Sequence, residues 1–186
     1  LDDAKTVLLA QGAAVETARV AADCLRKQHK VKVGVLGIHA LRPFPAAAIV
    51  NALEGRDSVF VLERTAAPIS GEPPLTREIR AQLNRVEGKQ HPKCSPVVYG
   101  LGGLPLRVAD LVELCTAAEE ESTQLRFLGL TFDDTSGEQP KREVLLDALR
   151  RAYPNAAKHG IRAARDASVA RPANSITIAI HRGDDG

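Results

Sequence analysis

Residues 33–45 read VGVLGIHALRPFP, and this run decides the fold. Its first half, entered at Val31, is apolar at Val31, Val33, Val35 and Leu36, as expected of a strand covered on both faces in a parallel sheet. Its second half is a rigid turn, Arg42-Pro43-Phe44-Pro45, that opens an Ala-rich helix over 46–54. Pro45 suits the first helical position, because the N–H it lacks would have no helical partner there.

The same alternation runs outward in both directions. Short apolar strands are expected at Thr6–Ala10, Val31–Ile38, Ser58–Leu62, Pro96–Tyr99 as a short edge strand, Leu125–Phe132 and Ser175–Ile180. Between them lie helix-length amphipathic segments at about 13–28, 46–54 and 75–86, from near Pro105, and over 141–154. In the segment from Pro105, Val108, Leu111, Val112 and Cys115 recur at helical spacing. Strands alternating with helices predict an α/β fold with a mostly parallel sheet. Asp147 and Arg151 are spaced for an i,i+4 pair on the last helix.

Composition narrows the function classes. With 186 residues, 44% hydrophobic and 26% charged, the chain is long enough to fold on an aliphatic core without disulfides or a structural metal. There is no Trp, and four Phe and two Tyr are the only aromatic residues. A net charge of +2, with no basic run interleaved with aromatics, argues against nucleic acid. No apolar stretch approaches the ~18 residues of a spanning helix, and the start LDDAKT lacks a signal-peptide pattern, which argues against a membrane. Cys24, Cys94 and Cys115 are odd in number and far apart, without a CxxC, which fits a cytoplasmic chain with free thiols and neither zinc nor iron–sulfur ligation. The absence of Met fits a piece excised from a longer chain.

Several constellations stand out. An aromatic ring between two prolines is either a connector folded back on the core or an anchor for a neighbour. We read Arg42, Pro43 and Phe44 as an anchor, because the loop leaves the C-terminal end of a parallel strand. Glu63 and Arg64 end the next strand, and the loop to Gly71, Glu72 and Pro73 follows; their charges are expected to pair with each other or with Arg42 and hold one loop shape. Phe44, Ile69 and Pro73 are expected to form an exposed apolar patch. Gly12, Gly100, Gly102 and Gly103 are candidate ligand-loop positions, since backbone N–H groups at a helix start can cradle phosphate. The GxGG spacing is not the dinucleotide GxGxxG, however, and a plain turn is the simpler reading there. Asp133-Asp134 reads as a solvated turn rather than a Mg²⁺ site, and Arg162, Arg165 and Arg171 as a solvated face. No nucleophile–base pair or metal cluster emerges, so no catalytic or metal residue is assigned.

Taken together, VGVLGIHALRPFP, VFVLERTAAPISGEPPLTREIRAQL and VVYGLGG resemble core domain II of the pyruvate:ferredoxin (flavodoxin) oxidoreductases, 2-oxoacid oxidoreductases that use thiamine diphosphate. The resemblance spans about residues 5–120, and FLGLTFDD looks like the segment just after that domain. It implies a three-layer α/β sandwich like the C-terminal domain of transketolase over residues 1–124, followed by a short α/β extension over 125–186 with a helix-rich segment and a terminal strand. ITIAIHRGDDG resembles the opening strand of the family's next domain, but Asp184 and Asp185 stand where a Gly-rich turn is usual. The resemblance also implies a non-catalytic module that contacts other domains or subunits of its parent. Thiamine diphosphate, Mg²⁺, coenzyme A and iron–sulfur clusters would be held elsewhere in that parent, and the chain would form a homo-oligomer only through it. The alternative is a free-standing binder of a nucleotide or coenzyme A moiety near Gly12, Arg42, Arg64 and Gly102.

Overall fold

The computed structural model describes residues 2–67, 69, 71–86, 91–117 and 123–129, and beyond these residues 144, 147, 148, 150–152, 154 and 159–161. Six strands, β1 (Thr6–Gln11), β2 (Val33–Ile38), β3 (Ser58–Glu63), β4 (Lys93–Val98), β5 (Arg126–Leu128) and β6 (Gly160–Ile161), form one sheet in the order β2-β1-β3-β4-β5-β6. All of its pairings are parallel. The helices α1 (Ala14–Cys24), α2 (Ala46–Leu53), α3 (Pro74–Leu83) and α4 (Val108–Thr116) cover its two faces. This is the three-layer α/β architecture that the alternation of segments predicts.

Side chains of successive strand residues point to opposite faces, and each face builds its own core. Leu8, Ala10, Phe60, Leu62 and Val97 pack under α1 and α4, with Ala18, Ala21, Leu111 and Leu114 filling the helix side. Val7, Leu9, Val59 and Val61 pack on the other face under α2 and α3, against Ile49, Leu53, Leu75 and Ile79. At Gly37 a Cβ would come within 3.1 Å of the Val15 side chain, so the glycine permits the close seating of α1 on β2.

Three expectations are corrected. β4 is an internal strand, flanked by β3 and β5, and not an edge. Pro96 is tolerated there because β5 pairs only with Val97 and Val98, which leaves no strand beside Pro96 on that side. The helix expected near Pro105 begins at Val108: Leu104 is extended at ψ 134°, as favoured before a proline, and Arg107 is extended too. Asp147 pairs with Arg150 at 2.8 Å rather than with Arg151. The strand expected over 175–180, the Asp133-Asp134 loop and Arg162, Arg165 and Arg171 lie outside the described residues.

Candidate functional site

The C-terminal ends of β1 to β4 open into a cleft of about 890 Å³. Gln11 and Gly12 from the end of β1, His39 and Leu41 from β2, Arg64 and Thr65 from β3, and Tyr99 and Gly100 from β4 line it, and the extended segment Leu104–Leu106 closes one side. Its place follows from topology. The chain leaves β1 through α1 on one face and leaves β3 through α3 on the other, so the loops part above these neighbouring strands.

Among the described residues Arg64 is the one Lys or Arg that lines this cleft. It is exposed, and among the described residues its guanidinium has no hydrogen-bond or ion-pair partner. Gly100 sits beside it at φ 73°, where a Cβ would lie 3.1 Å from the Arg64 Nε, so glycine serves both the left-handed backbone and the close approach. Burial raises the Tyr99 phenol above its ordinary pKa of 10, and the Arg64 charge opposes that rise.

The other charges expected near Arg64 are committed to α3. Glu63 is buried and accepts hydrogen bonds from the backbone N–H groups of Leu75 and Thr76 and from the Thr76 hydroxyl, each at 2.8 Å. The reason is local: Pro73 and Pro74 carry no N–H, and the Arg77 N–H already reaches the Pro73 carbonyl. The first donors of α3 that still need an acceptor are therefore those of Leu75 and Thr76. Glu63 accordingly pairs with neither Arg64 nor Arg42. Arg42 pairs instead with Glu78 of α3 at 3.2 Å, and Glu72 with Arg80 of α3 at 2.6 Å, while Arg80 also donates to the Cys94 carbonyl.

The candidate residues thus divide into two groups. Arg42, Phe44, Glu72 and Pro73 brace the loops against α3 and its core, Gly12, Arg64, Gly100 and Gly103 line the cleft, and Glu63 does both. Pro43 and Gly71 are exposed in their loops. The apolar patch expected at Phe44, Ile69 and Pro73 does not assemble: Phe44 is half-buried against the core under α2 and α3, Pro73 is buried, and of the three Ile69 alone is fully exposed. Gly102 lies within the 3₁₀ turn Leu101–Gly103. Because four non-helical residues, 104–107, separate that turn from α4, its N–H groups do not open that helix as the phosphate-cradle reading requires.

Sequence reading missed Asp110, a fully buried carboxylate in the first turn of α4, held by a guanidinium fork from Arg107 at 3.0 and 2.5 Å. Its signal was an Arg-x-x-Asp spacing at a helix start. Among the described residues no three His, Cys, Asp or Glu side chains group as metal ligands.

Burial pushes the Cys94 thiol up to about 11 and the Cys115 thiol up to about 12, from an ordinary value of 9.0. Two outcomes follow. At pH 8 the native chain should resist a thiolate-directed disulfide reagent at both positions and react fully once unfolded in urea. The raised folded values also mean that unfolded thiols lose protons first, so their contribution to stability is complete below pH 9 and declines as pH rises toward 11 and 12. Urea midpoints at pH 8 and 10.5 should show this fall, and it should shrink in C115A.

The sequence profile of pyruvate:ferredoxin oxidoreductase core domain II matches residues 4–111. Pyruvate synthase subunit PorA of Thermotoga maritima is 36% identical over 107 residues, covering 58% of this chain and 26% of that protein. Ketoisovalerate oxidoreductase subunit VorA of Pyrococcus furiosus is 32% identical over 111 residues, covering 60% of this chain and 27% of that protein. A probable pyruvate-flavodoxin oxidoreductase of Escherichia coli is 28% identical over 185 residues, covering 94% of this chain and 15% of that protein. The chain therefore spans about a third or less of the length of these relatives. With its parallel sheet, its Arg-Pro-Phe and Gly-Glu-Pro loops braced on α3, and this match over most of its described core, the chain belongs to the pyruvate:ferredoxin oxidoreductase core domain II family.

Proposed function

We propose that this chain is a non-catalytic interdomain module of a thiamine-diphosphate-dependent 2-oxoacid oxidoreductase, which oxidises a 2-oxoacid to an acyl-coenzyme A. The observation that carries the reading is the use made of its charges. At the Arg42 and Glu72 loops, each ionic side chain holds a loop to α3 and so fixes a surface, and none forms a nucleophile–base pair or metal-ligand group among the described residues. We assign the fully exposed Ile69 and the exposed Leu41 and Pro43 as contacts for a neighbouring domain or subunit.

In this reading thiamine diphosphate, Mg²⁺, coenzyme A and the iron–sulfur clusters belong to other parts of the parent enzyme. The parent works in the cytoplasm; no helix among the described residues is long and apolar enough to cross a membrane. The boundary at residue 124 separates the module from an extension whose first strand, β5, joins the sheet beside β4.

The test supplies the chain with pyruvate, coenzyme A, thiamine diphosphate, Mg²⁺ and a viologen acceptor, and follows both turnover and calorimetric heat. No turnover, and no Mg²⁺-dependent binding of thiamine diphosphate tighter than a Kd of ~100 µM, is expected. Either signal would overturn the reading.

A further inference from the structure

We propose that the cleft above β1 and β3 binds a nucleoside phosphate, with Arg64 as the phosphate contact and the leucines of the lining against the base. This goes beyond the interdomain reading and stands without it.

The first argument is place. The order β2-β1-β3 puts a topological switch point between β1 and β3, with α1 on one face and α3 on the other, and the crevice there is where open parallel sheets admit small ligands. It is an open cleft whose volume of about 890 Å³ falls in the range of small-molecule sites.

Charge is the second. The carboxylates nearest Arg64 in the chain are already engaged: Glu63 contributes to the cleft lining, but both of its oxygens accept bonds from Leu75 and Thr76 of α3, and Glu72 is paired with Arg80. Among the described residues Arg64 therefore enters the cleft without a counter-ion, and His39 supplies a second ring-nitrogen donor or acceptor to the same lining. The missing side chain at Gly100 lets the guanidinium lie against the backbone of the cleft. A planar fork without a carboxylate suits a phosphate, which it can grip with two parallel N–H···O bonds.

The third is the rest of the wall. Leu41, Leu104 and Leu106 line the cleft, and Leu41 is 40% exposed, so the cavity is cationic in one part and apolar in another. Inorganic phosphate would fill only the first part. A molecule with both an anionic end and a flat apolar body fills both, which is the make-up of a nucleoside mono- or diphosphate.

The experiment titrates the 186-residue chain with ADP, AMP and inorganic phosphate in ~150 mM salt, by calorimetry and by amide NMR shifts. ADP should saturate with a Kd of ~10 µM to 1 mM and bind at least ~10-fold more tightly than phosphate. R64Q should weaken ADP at least ~10-fold, while R42Q, whose guanidinium pairs with Glu78 outside the cleft, should leave it within ~2-fold. Arg64 is exposed, so R64Q should melt with the wild type, and the melt separates lost binding from lost folding. Absence of saturation up to ~5 mM ADP, phosphate binding as tight as ADP, or equal losses in R64Q and R42Q would each overturn the proposal.

Discussion

Replacing Glu63 by alanine is expected to lower the stability of the chain by about 3 kcal/mol, read as a shift of the urea midpoint with an unchanged slope. Its carboxylate accepts three bonds of 2.8 Å from Leu75 N–H, Thr76 N–H and the Thr76 hydroxyl, in a place where Thr76 is fully buried and Leu75 nearly so. Truncation strands the two N–H donors away from water, and each buried donor left unmade costs about 1–3 kcal/mol. It also removes a negative charge from a helix N-terminus, where the helix dipole favours one. E63Q separates these effects: one amide oxygen still serves Thr76, but the amide NH₂ faces the Leu75 N–H, so an intermediate loss is expected. T76V deletes only the hydroxyl's bond and should cost least of the three variants. If E63A unfolded within ~0.5 kcal/mol of the wild type, Glu63 would not be what seats α3, and the bracing of the Gly-Glu-Pro loop would need another cause.

The contrast between Glu63 and the strands shows what sequence discloses. Val7, Leu9, Val59 and Val61 declare themselves as strand core because burial on two faces leaves an uninterrupted apolar run, whereas their register is a fact of the sheet. The Arg-Pro-Phe and Gly-Glu-Pro loops were legible as rigid loops, since proline fixes φ whatever surrounds it. Which partner each charge takes was not legible. Arg42 finds Glu78 thirty-six residues on, and that pairing depends on where α3 lies, a tertiary fact. Glu63 is closer to legible, because two prolines at a helix start remove two donors and leave the next two seeking an acceptor, though the chain alone does not say which carboxylate reaches them. The place of β4 was misread for a related reason. A proline in a strand signals an edge, and here it signals only the short reach of β5. Pro105 keeps Leu104 out of a helix, but the late start of α4 comes from the extended Arg107, for which the chain carries no signal. The cleft itself arises from four strand ends and a sheet order, and the Glu63 carboxylate that shares its lining with Arg64 is already taken by Leu75 and Thr76.

The same logic of a buried carboxylate makes Arg107→Ala the second large effect, again of about 3 kcal/mol. Asp110 is fully buried at the third position of α4, and the Arg107 fork donates to both of its oxygens from a side chain that is itself only 27% exposed. Coulomb attraction across so short a gap is weakly screened away from water, whereas an exposed pair of the same spacing would contribute less than ~1 kcal/mol. Removing the cation leaves a carboxylate in a core otherwise made by Leu111, Val112 and Leu114, and α4 must either loosen or admit water. R107K should recover only part of the loss, because an ammonium offers a point charge in place of a planar fork. D110N should cost less than R107A, since the amide still accepts one of the two bonds and leaves no buried negative charge. Raising salt from ~0.1 to 1 M should change the R107A deficit little, which distinguishes a buried pair from a surface one. The deficit also has a consequence at the cleft: Arg107 follows directly on Leu106, so a loosened α4 start should weaken ADP binding in R107A while R64Q weakens it with the fold intact. An R107A chain as stable as the wild type would mean that Asp110 is held well enough by its remaining contacts, and that the start of α4 does not rest on this pair.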